Sequence, residues 1–181
     1  MDPSPQPLHA ATVDDPIDAL GVEHLLILGV LDAADREHRR LDDDGPLNET
    51  FWLEFLRFGD AFDDRFHQFK EERLFFPALE RTGLGATGPT TVLRDEHTRL
   101  ATWRTRVGRA LHERDRPRLA AAAGTYLADT RAHVLNENRV VFPLAQRLLP
   151  ADERRRLGAE FRRVTVDPQV LAWAARYVAG G

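Results

Sequence analysis

Two stretches of the chain place a glutamate four residues after a histidine: His67-Gln68-Phe69-Lys70-Glu71 and His133-Val134-Leu135-Asn136-Glu137. Each is followed at the same offset by a Phe-Pro pair, Phe76-Pro77 and Phe142-Pro143, so the unit H-x3-E-x4-F-P recurs 66 residues apart. A second pair, Glu23-His24 and Glu96-His97, recurs 73 residues apart. On a helix, residues i and i+4 share one face with Cβ atoms ~5–6 Å apart. The imidazole and carboxylate can then ligate one metal ion, or the carboxylate can bridge two ions ~3.5–4 Å apart. Two such helices face to face, with one histidine from each of two others, assemble His24, His67, Glu71, His97, His133 and Glu137. Nitrogen and carboxylate donors without sulfur suit iron, with manganese or zinc as alternatives.

The elements that must position these residues read as helices. From Pro16 to about residue 40, Ile17, Leu20, His24, Ile27, Leu28 and Leu31 fall on one face. A second helix spans roughly residues 48–81, with Phe51, Phe55, Phe58, Phe62 and Phe66 as its apolar payload, and Pro77 predicts a kink or distorted end. A third runs from about residue 89 to 113, and a fourth from about 117 to 149 with Pro143 inside it. A short fifth helix is expected near residues 151–163, followed by an apolar tail containing Val170, Leu171, Trp173, Tyr177 and Val178. No stretch alternates with period two, and no hairpin signal is present. The expected fold is all-α: an antiparallel up-down four-helix bundle over residues 16–149, a Pro- and Asp-rich disordered tail over 1–15, and a C-terminal helix and tail over 150–181. Short connections make neighbouring helices antiparallel.

Composition excludes several classes of function. The 181 residues are 43% hydrophobic and 30% charged with a net charge of -4, so the chain is long enough for one core and lacks a basic nucleic-acid footprint. With no cysteine there is no thiolate site, disulfide or iron–sulfur cluster. The N-terminus has no signal-peptide pattern, and the most apolar stretch, Leu25 to Leu31, is too short to span a bilayer. A cytoplasmic protein without nucleic-acid or membrane partners is expected.

The order His24, His67-x3-Glu71, His97, His133-x3-Glu137 resembles the H-HxxxE-H-HxxxE signature of hemerythrin-like (HHE cation-binding) proteins, over roughly residues 16–149. The ferritin-like bundle uses Glu-x-x-His instead. The resemblance implies a non-haem centre of two iron ions, bridged by oxo or hydroxo, that takes O2, hydrogen peroxide or nitric oxide as small ligand. Oxygen-carrying relatives have a fifth histidine one turn after the third-helix histidine; here that residue is Ala101. Many relatives also carry an acid or histidine where this chain has Gln68. Fewer protein ligands imply turnover of O2 or peroxide, catalase- or peroxidase-like, rather than reversible storage. Two alternatives stay open: non-catalytic binding or sensing of O2, nitric oxide or iron, and an oxidase or oxygenase of a small organic substrate.

Other residues carry weaker signals. Tyr126, two turns before His133, is a core tyrosine or else a phenol lining the open coordination positions, as hydrogen-bond donor or extra ligand. Asp64 and Asp129 read as acceptors for ligand N–H groups or as exposed acids. Glu23 and Glu96, rotated about 100° from the neighbouring histidines, are expected at the surface, and Glu72 in solvent. His9, His38 and His112 read as bystanders. The apolar tail packs across the bundle, forms a dimer contact or serves as a lid.

Overall fold

The computed structural model describes residues 14–42, 45–84 and 88–178, and among them all regular structure is helical. Most of the 1–15 tail lies outside the described residues. Helix α1 is Pro16–Asp42. Helix α2 runs over 49–84, α3 is Pro89–His112, and α4 runs over 116–148. Two short helices follow, α5 Ala151–Phe161 and α6 Pro168–Val178. The helix starts carry the expected chemistry. Asn48 accepts from the Phe51 N–H at 3.2 Å, and Asp115 accepts from the Arg118 N–H at 3.1 Å. Each such cap contributes ~1 kcal/mol. The last turn of α2 contains Gly83, whose φ of 103° favours glycine.

Helices α1 to α4 form the bundle, α1 packing on α2 and α4, and α3 packing on the same two. Two apolar clusters fill it. One gathers Phe51, Trp52, Phe55, Phe58, Phe62 and Leu127. The other gathers Phe75, Phe76, Leu79, Phe142, Leu157 and Phe161. Along α2 the two clusters are separated by the stretch His67 to Glu71, so the polar site sits in the middle of the bundle with a dry layer on either side.

Neither α2 nor α4 stops at its proline. Instead both widen. The Phe76 N–H reaches the Glu71 carbonyl, and the Phe142 N–H reaches the Glu137 carbonyl, each five residues back. A proline ring collides with the carbonyl of residue i−4, here Arg73 and Arg139, and a wide π turn moves that carbonyl aside without ending the helix. Both π turns begin at a glutamate of the H-x3-E unit.

The apolar tail is itself helical. Val170, Trp173 and Ala174 of α6 are buried, and α6 packs on α1 and α2 of its own chain. It comes so close to α1 that a Cβ on Gly29 would lie 2.6 Å from Val178 Cγ2. No helix among the described residues is long and apolar enough to cross a membrane.

Candidate metal centre

The six residues of the H-HxxxE-H-HxxxE pattern converge. His24 comes from α1, His67 and Glu71 from α2, His97 from α3, and His133 and Glu137 from α4. They form two groups, His24, His67, Glu71 and Glu137, and Glu71, His97, His133 and Glu137, within each of which the donor atoms lie within 4.8 Å of one another. Both carboxylates belong to both groups. All six side chains are buried, Glu71 and Glu137 completely.

Four oxygen acceptors set the orientation of the imidazoles. His24 Nδ1 lies 2.8 Å from Asn138 Oδ1, and His97 Nδ1 lies 2.8 Å from Glu72 Oε1. His67 Nδ1 lies 2.9 Å from Glu23 Oε2, and His133 Nδ1 lies 2.7 Å from Glu96 Oε2. A carboxylate or amide oxygen only accepts, so each Nδ1 carries a hydrogen and donates it. In a neutral imidazole this leaves Nε2 as a bare lone pair aimed at the centre. The arrangement is two-fold in sequence as well as in space. The glutamate before each single histidine orients the histidine of an H-x3-E unit. The residue after each H-x3-E glutamate, Glu72 or Asn138, orients a single histidine.

Without a cation these donors confront one another unfavourably. His24 Nε2 and His67 Nε2 lie 3.1 Å apart, as do His97 Nε2 and His133 Nε2. The carboxylates approach the same nitrogens, His24 to Glu137 at 3.2 Å, His67 to Glu71 at 3.4 Å, His133 to Glu137 at 3.4 Å and His97 to Glu71 at 3.5 Å. None of the four carboxylate oxygens has a well-directed hydrogen-bond partner. Two imidazole nitrogens each ~2.1 Å from one metal, at about a right angle, stand ~3.0 Å apart, close to the spacing seen in both histidine pairs. The residues therefore fit a pair of divalent or trivalent cations. Orphaned buried carboxylates and facing lone pairs become ligands when such charges sit between them.

The electrostatics point the same way. Burial and the Glu137 carboxylate push Glu71 well above the usual carboxylate range. Burial also raises Glu137, but His133, His24 and His97 outweigh it and leave that carboxyl low. Burial and the neighbouring His24 hold His67 well below the usual imidazole range, so it stays neutral, as a ligand must. At His133 burial opposes protonation, yet Glu137 and Glu96 prevail and hold it high. A proton there takes the place of a metal.

Three expectations about neighbouring residues need correction, those for Glu23, Glu96 and Glu72. Glu23 and Glu96 are largely covered, and each accepts from a histidine of the site. A position 100° from the bundle axis does not face solvent here; it meets the adjacent helix, where the neighbour's inward histidine turns its Nδ1 edge. Glu72, half-buried, orients His97 in the same way. Glu23 also pairs with the buried Lys70, whose ammonium lies 3.6 Å from the centre of the Phe66 ring. Asp64 and Asp129 serve no histidine: Asp64 pairs with Arg104, and Asp129 pairs with Arg99 at 3.1 Å. The two-fold repeat held the missed signal, since Glu23/Glu96 and Glu72/Asn138 occupy matching positions in the two halves.

Tyr126 is buried, its ring 5.8 Å from that of Phe55 and its hydroxyl over Gly59, where it accepts from Arg104. Gln68 is buried beside His67, and His38 Nε2 donates to the Ala120 carbonyl at 2.8 Å. Near the site Asp63 is buried, and burial followed by the Asp64 charge pushes its carboxyl up to about 6.

Removing an orienting acceptor frees a histidine to rotate and to change tautomer, which typically costs about 10–100-fold in metal affinity. Glu96→Ala is expected to weaken metal binding by about that factor in a competitive chelator titration, while Asp129→Ala leaves it unchanged. Equal losses in both variants would remove the orienting role.

No curated protein matches the chain. The sequence profile described as Hemerythrin HHE cation binding domain matches residues 15–145, a span that holds all six converging residues and all four of their acceptors. With four helices, two repeated halves and a buried histidine–carboxylate site in agreement, the chain belongs to the hemerythrin HHE cation-binding family.

Proposed function

We propose that the chain holds two iron ions through His24, His67, Glu71, His97, His133 and Glu137, and uses them to reduce hydrogen peroxide or O2 in catalase- or peroxidase-like chemistry. The observation that supports this is the sharing of both carboxylates between two three-helix donor groups, which leaves only six protein residues for two ions. Iron bound there supplies a Lewis acid and an electron store. The residues of the chain supply everything else. Glu23, Glu72, Glu96 and Asn138 fix the four imidazoles. Phe142 stacks on His24 at 5.0 Å and Phe76 on His97 at 5.9 Å, walling the site against bulk water. A groove of about 420 Å³ between α1 and α4, lined by Val22, Leu25, Asn138 and Phe142, reaches Asn138 and Phe142, both in contact with His24, and offers a small oxidant an approach. Ala101, where oxygen carriers have a further histidine, has no donor atom and leaves a position for that oxidant.

Metal content and the visible spectrum of aerobically purified protein test this first, followed by gas evolution or reductant consumption with peroxide. Two irons per chain and turnover that is lost in His67→Ala are expected. A stable oxygenated spectrum without turnover transfers the protein to the binding and sensing class. Zinc, or no metal after anaerobic iron loading, ends the redox reading.

A further inference from the structure

The chain has few side chains that lose an electron readily. It has no cysteine, one methionine at position 1, three tryptophans and two tyrosines. Four of those five aromatic residues stand in one file of ring contacts. Tyr126 lies 5.8 Å from Phe55, and Phe55 lies 5.7 Å from Trp52. Trp52 lies 5.7 Å from Phe51, Phe51 5.8 Å from Trp173, and Trp173 5.0 Å from Tyr177. A single phenyl ring separates Tyr126 from Trp52, and another separates Trp52 from Trp173. The inner end is seven residues before His133 on α4, ~10 Å along the helix from the centre. The outer end, Tyr177, is half-buried at the surface of α6. Only Trp103 stands apart, under the Arg106 guanidinium.

We propose that this file is an electron conduit, carrying electrons from a small one-electron reductant at Tyr177 through Trp173, Trp52 and Tyr126 to the oxidised metal centre. The inference rests on the redox reading above. Reduction of peroxide to two waters consumes two electrons and two protons, so two molecules of the one-electron reductant are each oxidised once per peroxide and the protons come from solvent.

Two features distinguish the file from ordinary aromatic packing. Trp52 is fully buried and its Nε1–H has no acceptor, although buried indoles usually find one. An indole that gives up an electron with no base beside it keeps its proton, so the oxidation passes on instead of being trapped as a neutral radical. Tyr126 must release a proton when it is oxidised, and in the proposed conduit that proton goes to the buried carboxylate of Asp63, a charge close enough to raise the Tyr126 hydroxyl. Asp63 lies one turn beyond Gly59 on α2, and Gly59 is the residue under the Tyr126 hydroxyl. The proton returns from Asp63 when the next electron arrives. Furthermore, Trp173 and Tyr177 belong to α6, outside residues 15–145 of the family domain, so the chain's own C-terminal addition completes the file.

The test exposes iron-loaded full-length protein to excess peroxide without reductant, then reads protein radicals by freeze-quench electron paramagnetic resonance and oxidised residues by peptide mass spectrometry. Oxidation is expected to concentrate on Trp173 and Tyr177 and to spare Trp103. In Trp52→Phe the marks on Trp173 and Tyr177 should fall several-fold while iron content holds. Should Trp52→Phe disturb the fold, Trp173→Phe, on α6, gives a second reading through loss of the Tyr177 mark. Marks unchanged by either variant, or Trp103 marked as heavily as Trp173, overturn the conduit. Peroxide consumption without any protein radical overturns the conduit alone. No peroxide consumption by the iron-loaded wild type overturns the redox reading and the conduit together.

Discussion

Glu71→Ala and Glu137→Ala are each expected to strip both metal positions, whereas His24→Ala and His97→Ala each weaken one position first. The asymmetry follows from the donor groups. Each histidine serves a single group, but both carboxylates serve both. Taking away a shared carboxylate removes a ligand from each ion and also the anion that offsets the repulsion between two cations a few ångströms apart. Taking away His24 leaves Glu71, His97, His133 and Glu137 as a complete second group. Iron content per chain should therefore fall from two towards none in the glutamate variants and towards one in the single-histidine variants. Glu137→Gln serves as the shape-conserving control, since it retains the side-chain volume and loses only the charge. His38→Ala should change nothing, because its imidazole is committed to the Ala120 carbonyl. The opposite ranking, with His24→Ala emptying the protein and Glu137→Ala keeping half its iron, would show that the carboxylates do not bridge.

How much of this was legible in the sequence depended on how locally each feature is encoded. The H-x3-E units are written on single helices, so a periodicity of 3.6 is enough to put His67 above Glu71 and His133 above Glu137. The single histidines followed from their repeated Glu-His context. Helix starts followed from Asn48 and from the prolines at positions 16, 89 and 117. What the pattern did not reveal were contacts made between helices. Glu23, Glu72, Glu96 and Asn138 act on histidines of other helices, and helix-wheel reasoning on one element sends the three glutamates to solvent. Asp64 and Asp129 stayed open for the same reason: they precede the histidines at helical spacing, and only the fold shows that arginines of α3 pair with both. The π turns were also out of reach, because a proline announces only that a regular turn fails, not whether the helix stops or widens. The docking of α6 was half legible. Its Val170, Trp173, Ala174 and Tyr177 share a face, but the surface they cover includes the bare backbone at Gly29, which Val178 closes upon and which is far away in sequence.

The two central glutamates also differ in a way that chelated protein should expose. Glu71 is pushed up by burial and by Glu137, so its folded-state value lies above the ordinary 4.5. Such a group stabilises the fold fully below pH 4.5 and loses that contribution as pH rises through the folded value. Glu137 lies below 4.5, because the imidazoles of His133, His24 and His97 outweigh its burial. Its contribution is present above 4.5 and lost as pH falls through the folded value. After chelation at neutral pH, Glu71→Gln is therefore expected to raise Tm and Glu137→Gln to lower it. An unsatisfied buried polar group is worth about 1–3 kcal/mol. For a chain of this size each kcal/mol moves Tm by about 2–4 °C, so both shifts are within reach of a thermal melt. The Glu71→Gln shift should fade below pH 4.5, where that carboxyl is as neutral as the amide that replaces it, and the Glu137→Gln shift only as pH falls through the lower Glu137 value. Iron reverses the order. A ligand present at 1,000 times its Kd stabilises the folded state by about 4 kcal/mol. The wild type gains that on loading and the Gln variants lose most of it, so the variant that melts highest when chelated should melt below the wild type when iron is supplied. Equal shifts for the two variants in chelated protein would contradict the unequal environments of Glu71 and Glu137. A Glu71→Gln protein that keeps its advantage in iron would mean that this carboxylate was never a ligand, because a buried acid with no metal to hold is simply better replaced by an amide.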